Sequence, residues 1–183
     1  MSARPTLIFD FDSTLVDFET LEALADIALA DSPEADRTRA EIAALTDQAM
    51  AGEIEFGEAL RRRLALLPLT REHVAALAAK ASDHLTASVR RNLGFFQRNK
   101  GRIVIISGGF REVIAPVAEE LGVAPDRVLC NDLVYDAEGR VTGVDDANPL
   151  SHANGKPTAI HALKLTGRVV MIGDGWNDAE VKV

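Results

Sequence analysis

Residues 7–15 read Leu7-Ile8-Phe9-Asp10-Phe11-Asp12-Ser13-Thr14-Leu15. A short apolar run stops abruptly at two carboxylates, and two small hydroxyl residues suited to a turn follow. A continuous apolar run of this length suits a strand buried on both faces, as in a parallel sheet. Open α/β sheets bind ligands at the carboxyl ends of such strands, where Asp10 and Asp12 stand. Alternation along a strand allows these two residues to share a face, with Phe11 turned away. Two crowded carboxylates repel unless a cation or a proton intervenes, which is the setting of a metal-assisted acid/base site. A solvated turn leading into the next helix is the other reading of the same residues.

Three further stretches bear on that choice. Ile103-Val104-Ile105-Ile106 is a second buried-strand run, ending in Ser107-Gly108-Gly109-Phe110 before a helical stretch from Arg111 to Leu121. Glycine admits close backbone approach and helix-start amides face an anion, so strand, Ser-Gly-Gly, helix suits a phosphate; an ordinary tight turn fits as well. Lys156 lies in Gly155-Lys156-Pro157-Thr158, where Pro157 suits the first turn of a helix running to about Leu165. A lysine there opposes the helix dipole, and such a local misfit hints at function, although a surface lysine is the plainer reading. The run Val169-Val170-Met171-Ile172 then ends in Gly173-Asp174-Gly175-Trp176-Asn177-Asp178, bringing two more carboxylates to a strand end.

The chain has 183 residues, 47% of them hydrophobic, enough for a real core in one domain carrying an insertion. Its net charge is −8, and no basic stripe suggests nucleic acid or an anionic membrane as partner. An acidic protein that handles phosphate must neutralise charge locally, which again indicates a metal and Lys156. The single cysteine, Cys130, lies in an apolar segment and reads as a buried, inert thiol. His73, His84, His152 and His161 show no ligand spacing and read as structural or surface residues. No signal-peptide core or membrane-length apolar run is present, so a cytoplasmic protein is expected.

The order of elements predicts an α/β fold. Strands are expected at about 6–10, 102–106, 127–130 and 168–172, with helices at about 111–121 and 157–165; this alternation implies a Rossmann-like parallel sheet covered by helices. Residues 131–145 read as a β-hairpin around Asp136-Ala137-Glu138-Gly139. The helical stretch from about 18 to 98 is too long for a simple crossover, so residues 17–85 are expected to form a small helical cap inserted into a core of 1–16 and 86–183. Within it, Phe56, Ala59, Leu60, Arg63 and Leu67 recur at helical spacing, which puts Arg63 on the apolar face. It either snorkels outward or aims a guanidinium into the cleft to grip a carboxylate. Glu19 is either a helix-start carboxylate or the partner of an ammonium group. One carboxylate and one guanidinium in a cleft fit a zwitterionic amino acid.

Taken together, the four stretches resemble, in order and spacing, the motifs of the haloacid dehalogenase superfamily. Asp10-Phe11-Asp12-Ser13-Thr14-Leu15-Val16 with Glu19, and Ala49-Met50-x-Gly52-x-x-x-Phe56-x-x-x-Leu60-x-x-Arg63, are similar to the phosphoserine phosphatase branch. The resemblance implies Mg²⁺-dependent hydrolysis of a small phosphorylated amino acid, O-phosphoserine, through an aspartyl phosphate. It implies Asp10 as nucleophile and Asp12 as general acid/base, with Asp10, the Asp12 backbone carbonyl and Asp174 holding Mg²⁺. Ser107, Gly108, Lys156 and Asn177 would hold phosphate, and Asp178 would orient its neighbours. Glu19, Met50, Phe56, Arg63 and Gly109 would line the substrate pocket. A related small-metabolite phosphatase, a phosphotransferase that passes phosphoryl to another alcohol, and a catalytically impaired binding module are the competing readings. Two departures from the family pattern stand out: Trp176 is bulky where a smaller residue is usual, and the sequence stops five residues past Asp178. The resemblance implies a further helix–strand unit there, so a shortened form with a weakly supported fourth motif is expected.

Overall fold

The computed structural model describes residues 4–175. Four strands form one parallel sheet in the order β3-β2-β1-β6: β1 (Thr6–Phe9), β2 (Ile103–Phe110), β3 (Val128–Asn131) and β6 (Val169–Ile172). The register sets Leu7, Ile8 and Phe9 of β1 beside Ile103, Val104 and Ile105 on one side and Val170, Met171 and Ile172 on the other. Alternation then sorts the apolar runs onto two faces. Leu7, Ile103 and Ile105 join a core with Phe11, Leu15, Val113, Ile114 and Val117, whereas Ile8, Val104 and Ile106 pack on Leu150, Ala159 and Ile160. Continuous apolar strands without a polar face need cover on both sides, and β2 has it along its whole apolar run.

Five helices separate β1 from the stretch that leads back to the sheet: α1 (Thr20–Ala28), α2 (Ala35–Met50), α3 (Phe56–Ala65), α4 (Arg71–Ala78) and α5 (Ala87–Arg91). They are followed by α6 (Leu93–Asn99), α7 (Arg111–Glu120) after β2, and α8 (Gly155–Ala162) after the hairpin. The chain leaves β1 and returns along two adjacent segments. Val16 pairs with Leu85, the Asp17 amide donates to His84 O at 2.9 Å, and the Thr86 amide donates to Leu15 O at 2.9 Å. Leu60 and Leu64 of α3, with Leu67 and Leu69 of the connection to α4, share the apolar cluster of Ile103 and Ile105, so the insertion is packed into the same core.

The expected hairpin is present as an antiparallel pair, β4 (Leu133–Tyr135) and β5 (Val141–Val144). Cys130 is buried, and its thiol is pushed up to about 12 by burial, an unreactive environment. Among the described residues, no helix is long and apolar enough to cross a membrane.

Candidate active site

β1 delivers Asp10 to the centre of the sheet's carboxyl edge. Its amide donates to Ile172 O of β6 at 2.8 Å, and its own carboxylate accepts the Phe11 amide at 2.8 Å through Oδ1. The other oxygen, Oδ2, lies 2.9 Å from Lys156 Nζ, in a pair with both side chains mostly buried. That contact explains a lysine at a helix start: Lys156 faces a carboxylate, which outweighs the unfavourable dipole. The helix begins two residues earlier than its proline suggests. Asn154 takes a left-handed conformation, φ 58°, and turns the chain into α8 at Gly155.

Asp12 accepts a hydrogen bond from the hydroxyl of the buried Thr20. Burial is the main cause that raises its carboxyl from 3.8 to about 8, and repulsion from Glu19 and Asp10 adds to it, against the lowering effect of the Thr20 hydroxyl. Glu19 does not cap α1 with its side chain; it accepts the Ser13 hydroxyl at 2.5 Å. Burial raises its carboxyl as well, with Asp174 repelling it and Lys156 attracting it. Thr14 Oγ1 donates to Asp174 Oδ1 at 3.3 Å, tying the first strand's exit to the last. Ser13, Thr14 and Thr20 thus hold three of the carboxylates, a task that a reading of Ser13 and Thr14 as turn residues misses. The one clue was the density of hydroxyls within ten residues of Asp10.

The Ser-Gly-Gly stretch is a bulge within β2, where a turn after the strand was expected. Ile106 pairs with Leu129 and Phe110 with Asn131, four steps on one strand against two on the other. The stretch Ser107 to Gly109, three residues against one on β3, swells toward Asp12. A Cβ on Gly109 would press on Ser107 Oγ, Thr20 Oγ1 and Asp12 Oδ2, so only glycine fits without a shift. Ser107 is buried and accepts the Gly109 amide at 2.9 Å. Asn131, unremarkable in the sequence, is fully buried and braces the bulge: its Nδ2 donates to Gly108 O at 2.8 Å and to Leu150 O at 3.2 Å.

From α3, the edge of the Phe56 ring lies 3.7 Å from where a Cβ on Gly108 would stand. Arg63 is half-buried, with Nη1 donating to Thr46 Oγ1 at 3.2 Å; burial pulls its guanidinium down while Glu22 and Glu19 push it up. Met50 requires a correction. It ends α2 with 84% of its surface exposed, and the turn through left-handed Gly52 leaves its thioether in solvent, not in a pocket wall. Asn177 and Asp178, like Trp176, lie outside the described residues.

Among the described residues, no three His, Cys, Asp or Glu side chains form a metal-binding group. The set expected for Mg²⁺ needs only two such side chains, Asp10 and Asp174, with the Asp12 carbonyl as third donor. These donors are all hard oxygens, and Asp10, Asp12, Glu19 and Asp174 outnumber the cations Lys156 and Arg63 that act on them. The residues therefore fit a hard divalent cation.

Paired carboxylates at the end of β1, a lysine against Asp10, a small-residue bulge on β2 and an acidic loop after β6 define a class, and the comparisons agree. Residues 7–181 match the family of haloacid dehalogenase-like hydrolases, and the chain belongs to it. Phosphoserine phosphatase from Bos taurus is 34% identical over 175 residues, covering 94% of this chain and 74% of that protein. A phosphoserine phosphohydrolase-like protein from Francisella tularensis has a TM-score of 0.82 and 29% identity, over 97% of this chain and 82% of its own. A phospho-aspartyl intermediate analogue of a phosphoserine phosphatase has a TM-score of 0.67 and 30% identity, over 97% and 81%. Within the family, the chain is a phosphoserine phosphatase-like hydrolase.

Proposed function

We propose that this chain hydrolyses O-phosphoserine to serine and phosphate through an aspartyl phosphate on Asp10, with Mg²⁺ as cofactor. The observation that carries the reading is the division of labour between two carboxylates two residues apart. Asp10 is paired with the Lys156 ammonium at 2.9 Å, while burial raises Asp12 to about 8, protonated at neutral pH. Groups whose environments push their proton affinities apart suit a nucleophile and an acid. The likeness to the phospho-aspartyl analogue of a phosphoserine phosphatase supports the covalent step.

An Asp10 oxygen attacks phosphorus as the bond to the serine oxygen breaks, and the departing alkoxide takes the Asp12 proton. Lys156 spreads the phosphate's charge, and the Ser107 hydroxyl with the backbone of the bulge cradles it. Asp12, now ionised, takes a proton from water; that oxygen attacks phosphorus and the bond to Asp10 breaks, restoring both carboxyl groups. Asp10, the Asp12 carbonyl and Asp174 would hold Mg²⁺, which when bound offsets the repulsion between a carboxylate and a phosphate dianion.

Glu19 and Arg63, of opposite charge, would receive the ammonium and carboxylate of serine, with Phe56 walling the pocket. Residues 17–85 then serve as a cap hinged where 14–17 and 84–86 run together. Phosphate release from O-phosphoserine, with Mg²⁺ and after chelation, tests the assignment. Turnover that needs Mg²⁺ and disappears in Asp10→Asn is expected, and turnover by Asp10→Asn would overturn the covalent route.

A further inference from the structure

We infer that Glu55 is a positioning residue whose carboxylate fastens the start of α3 to the segment leading into α8, so that Phe56 and Lys156 are set by one contact. This inference rests on the roles just given to those two residues. Glutamate is not a favoured helix N-cap, where the shorter Ser, Thr, Asp and Asn predominate. Here its length has a use. Oε2 caps α3 by accepting the Glu58 amide at 3.0 Å, while Oε1 reaches across to accept the Ala153 amide at 2.9 Å. Backbone amides of Gly57, Ala153 and Glu58 hold this carboxyl below its ordinary range although it is exposed.

Two further contacts run along the same seam. A Cβ on Gly57 would collide with Ser151 O, so α3 lies against the 3₁₀ turn Pro149–Ser151 at a separation only glycine allows. Arg61 Nη1 lies 3.5 Å from Asp146 Oδ1. On its other side that turn meets Gly155, where a Cβ would collide with Pro149 O and Leu150 Cα. Leu150 and Ser151 are buried, Leu150 against Ile8, Val104 and Ile106 of the sheet and Ala159 and Ile160 of α8. The turn is thus a wedge: α3 presses one side and α8, carrying Lys156 in its first turn, presses the other. Phe56 directly follows Glu55, and Lys156 stands three residues after Ala153. A carboxylate that joins residues 55 and 153 therefore fixes the Phe56 wall and the Lys156 ammonium relative to each other.

Glu55→Asp separates this role from simple capping. Aspartate caps a helix as well as any residue but is one methylene too short to hold both amides. The variant should keep the thermal stability of wild type, exchange its Ala153 amide hydrogen faster, and bind inorganic phosphate about fivefold to tenfold more weakly. The kcat/KM should fall by a similar factor for both O-phosphoserine and p-nitrophenyl phosphate, because Lys156 meets the phosphate of either. Glu55→Gln, which retains length and one acceptor oxygen, should fall between the two. Exchange and phosphate affinity do not depend on turnover, so they judge the contact even if wild type fails to hydrolyse phosphoserine, an outcome that would count against the proposed substrate alone. Unchanged exchange at Ala153 in Glu55→Asp, or faster exchange with unchanged phosphate affinity, would overturn the inference and leave Glu55 a helix cap.

Discussion

Replacing Gly155 by alanine tests whether the wedge places Lys156. A Cβ there would lie 2.7 Å from Leu150 Cα and 3.0 Å from the Pro149 carbonyl carbon, and closer still to the Pro149 oxygen. Every one of these atoms is backbone, so no rotamer change relieves the clash. Restoring ordinary contact requires the first turn of α8 to move by about 1 Å. Overpacking of this kind costs about 2 kcal/mol, which for a chain of this size lowers Tm by about 4–8 °C. The same displacement stretches the 2.9 Å pair between Lys156 and Asp10 beyond hydrogen-bond range. A reacting constellation displaced that far loses on the order of 10²-fold in rate. Gly101→Ala supplies the control, since a Cβ there meets nothing within 4 Å and the backbone is not left-handed; it should be neutral or stabilising by about 0.5 kcal/mol. Thermal unfolding and phosphate-release kinetics of the two variants side by side decide the matter. Wild-type stability and rate in Gly155→Ala would refute the claim that the close approach at Pro149 positions Lys156.

Other variants probe the remaining parts of the site. Asp10→Asn should fold normally, show no turnover and no longer bind beryllium fluoride as a phosphoryl mimic, as followed by fluorine NMR. Arg63→Ala should reduce kcat/KM for O-phosphoserine by on the order of 10²-fold and for p-nitrophenyl phosphate much less, because its proposed partner is the substrate carboxylate; equal losses would make Arg63 a packing residue. Thr20→Val removes the hydroxyl that lowers the Asp12 carboxyl, so the alkaline limb of the pH–rate profile should move up while kcat falls. Burial raises Asp12 from 3.8 to about 8, so the folded protein holds that proton more tightly than the unfolded chain. In chelator-treated protein, this group's contribution should therefore be complete below pH about 4 and decline as pH rises toward 8, a slope that Asp12→Asn should abolish in urea titrations.

The sheet was legible because its strands are continuous apolar runs that stop at chemically distinctive residues. The run before Asp10 and the run before Gly173 each became a parallel strand within one residue of the expected bounds, and the run before Ser107 became one that continues four residues past its expected end, to Phe110. A buried strand needs no alternation to be recognised, only length and an abrupt end. The bulge at Ser107–Gly109 was not legible, because the hydrogen bond that keeps Phe110 in the ladder comes from β3, and the brace on Gly108 from Asn131. Met50 misled for a related reason: an apolar residue next to a glycine at the end of a helix carries no local sign of which way it turns. Glu55 and Ala153 are 98 residues apart, and nothing in either neighbourhood announces their contact. Local pattern finds the residues that carry chemistry; the ones that hold them in place owe their roles to pairing across the fold.

That difference follows from where the fold bears its costs. Of the buried side-chain oxygens without a hydrogen-bond partner among the described residues, one is Asn131 Oδ1, whose amide nitrogen braces the bulge. Asp12 is desolvated beside Asp10 and Glu19, an arrangement that opposes ionisation and so disfavours the folded state as pH rises. Neither feature helps the sheet, which Ile8, Val104, Ile105 and Ile106 already pack without a gap in their exposure pattern. Unpaired buried polar atoms and like charges held together are destabilising unless something outside the chain completes them. A divalent cation would do so for the carboxylates, supplying the charge that offsets their repulsion. The crowding of Asp12 beside Asp10 and Glu19 is thus left uncompensated by folding alone, and that favours a reading of the residues around Asp10 as a binding and catalytic site over a reading as a solvated turn.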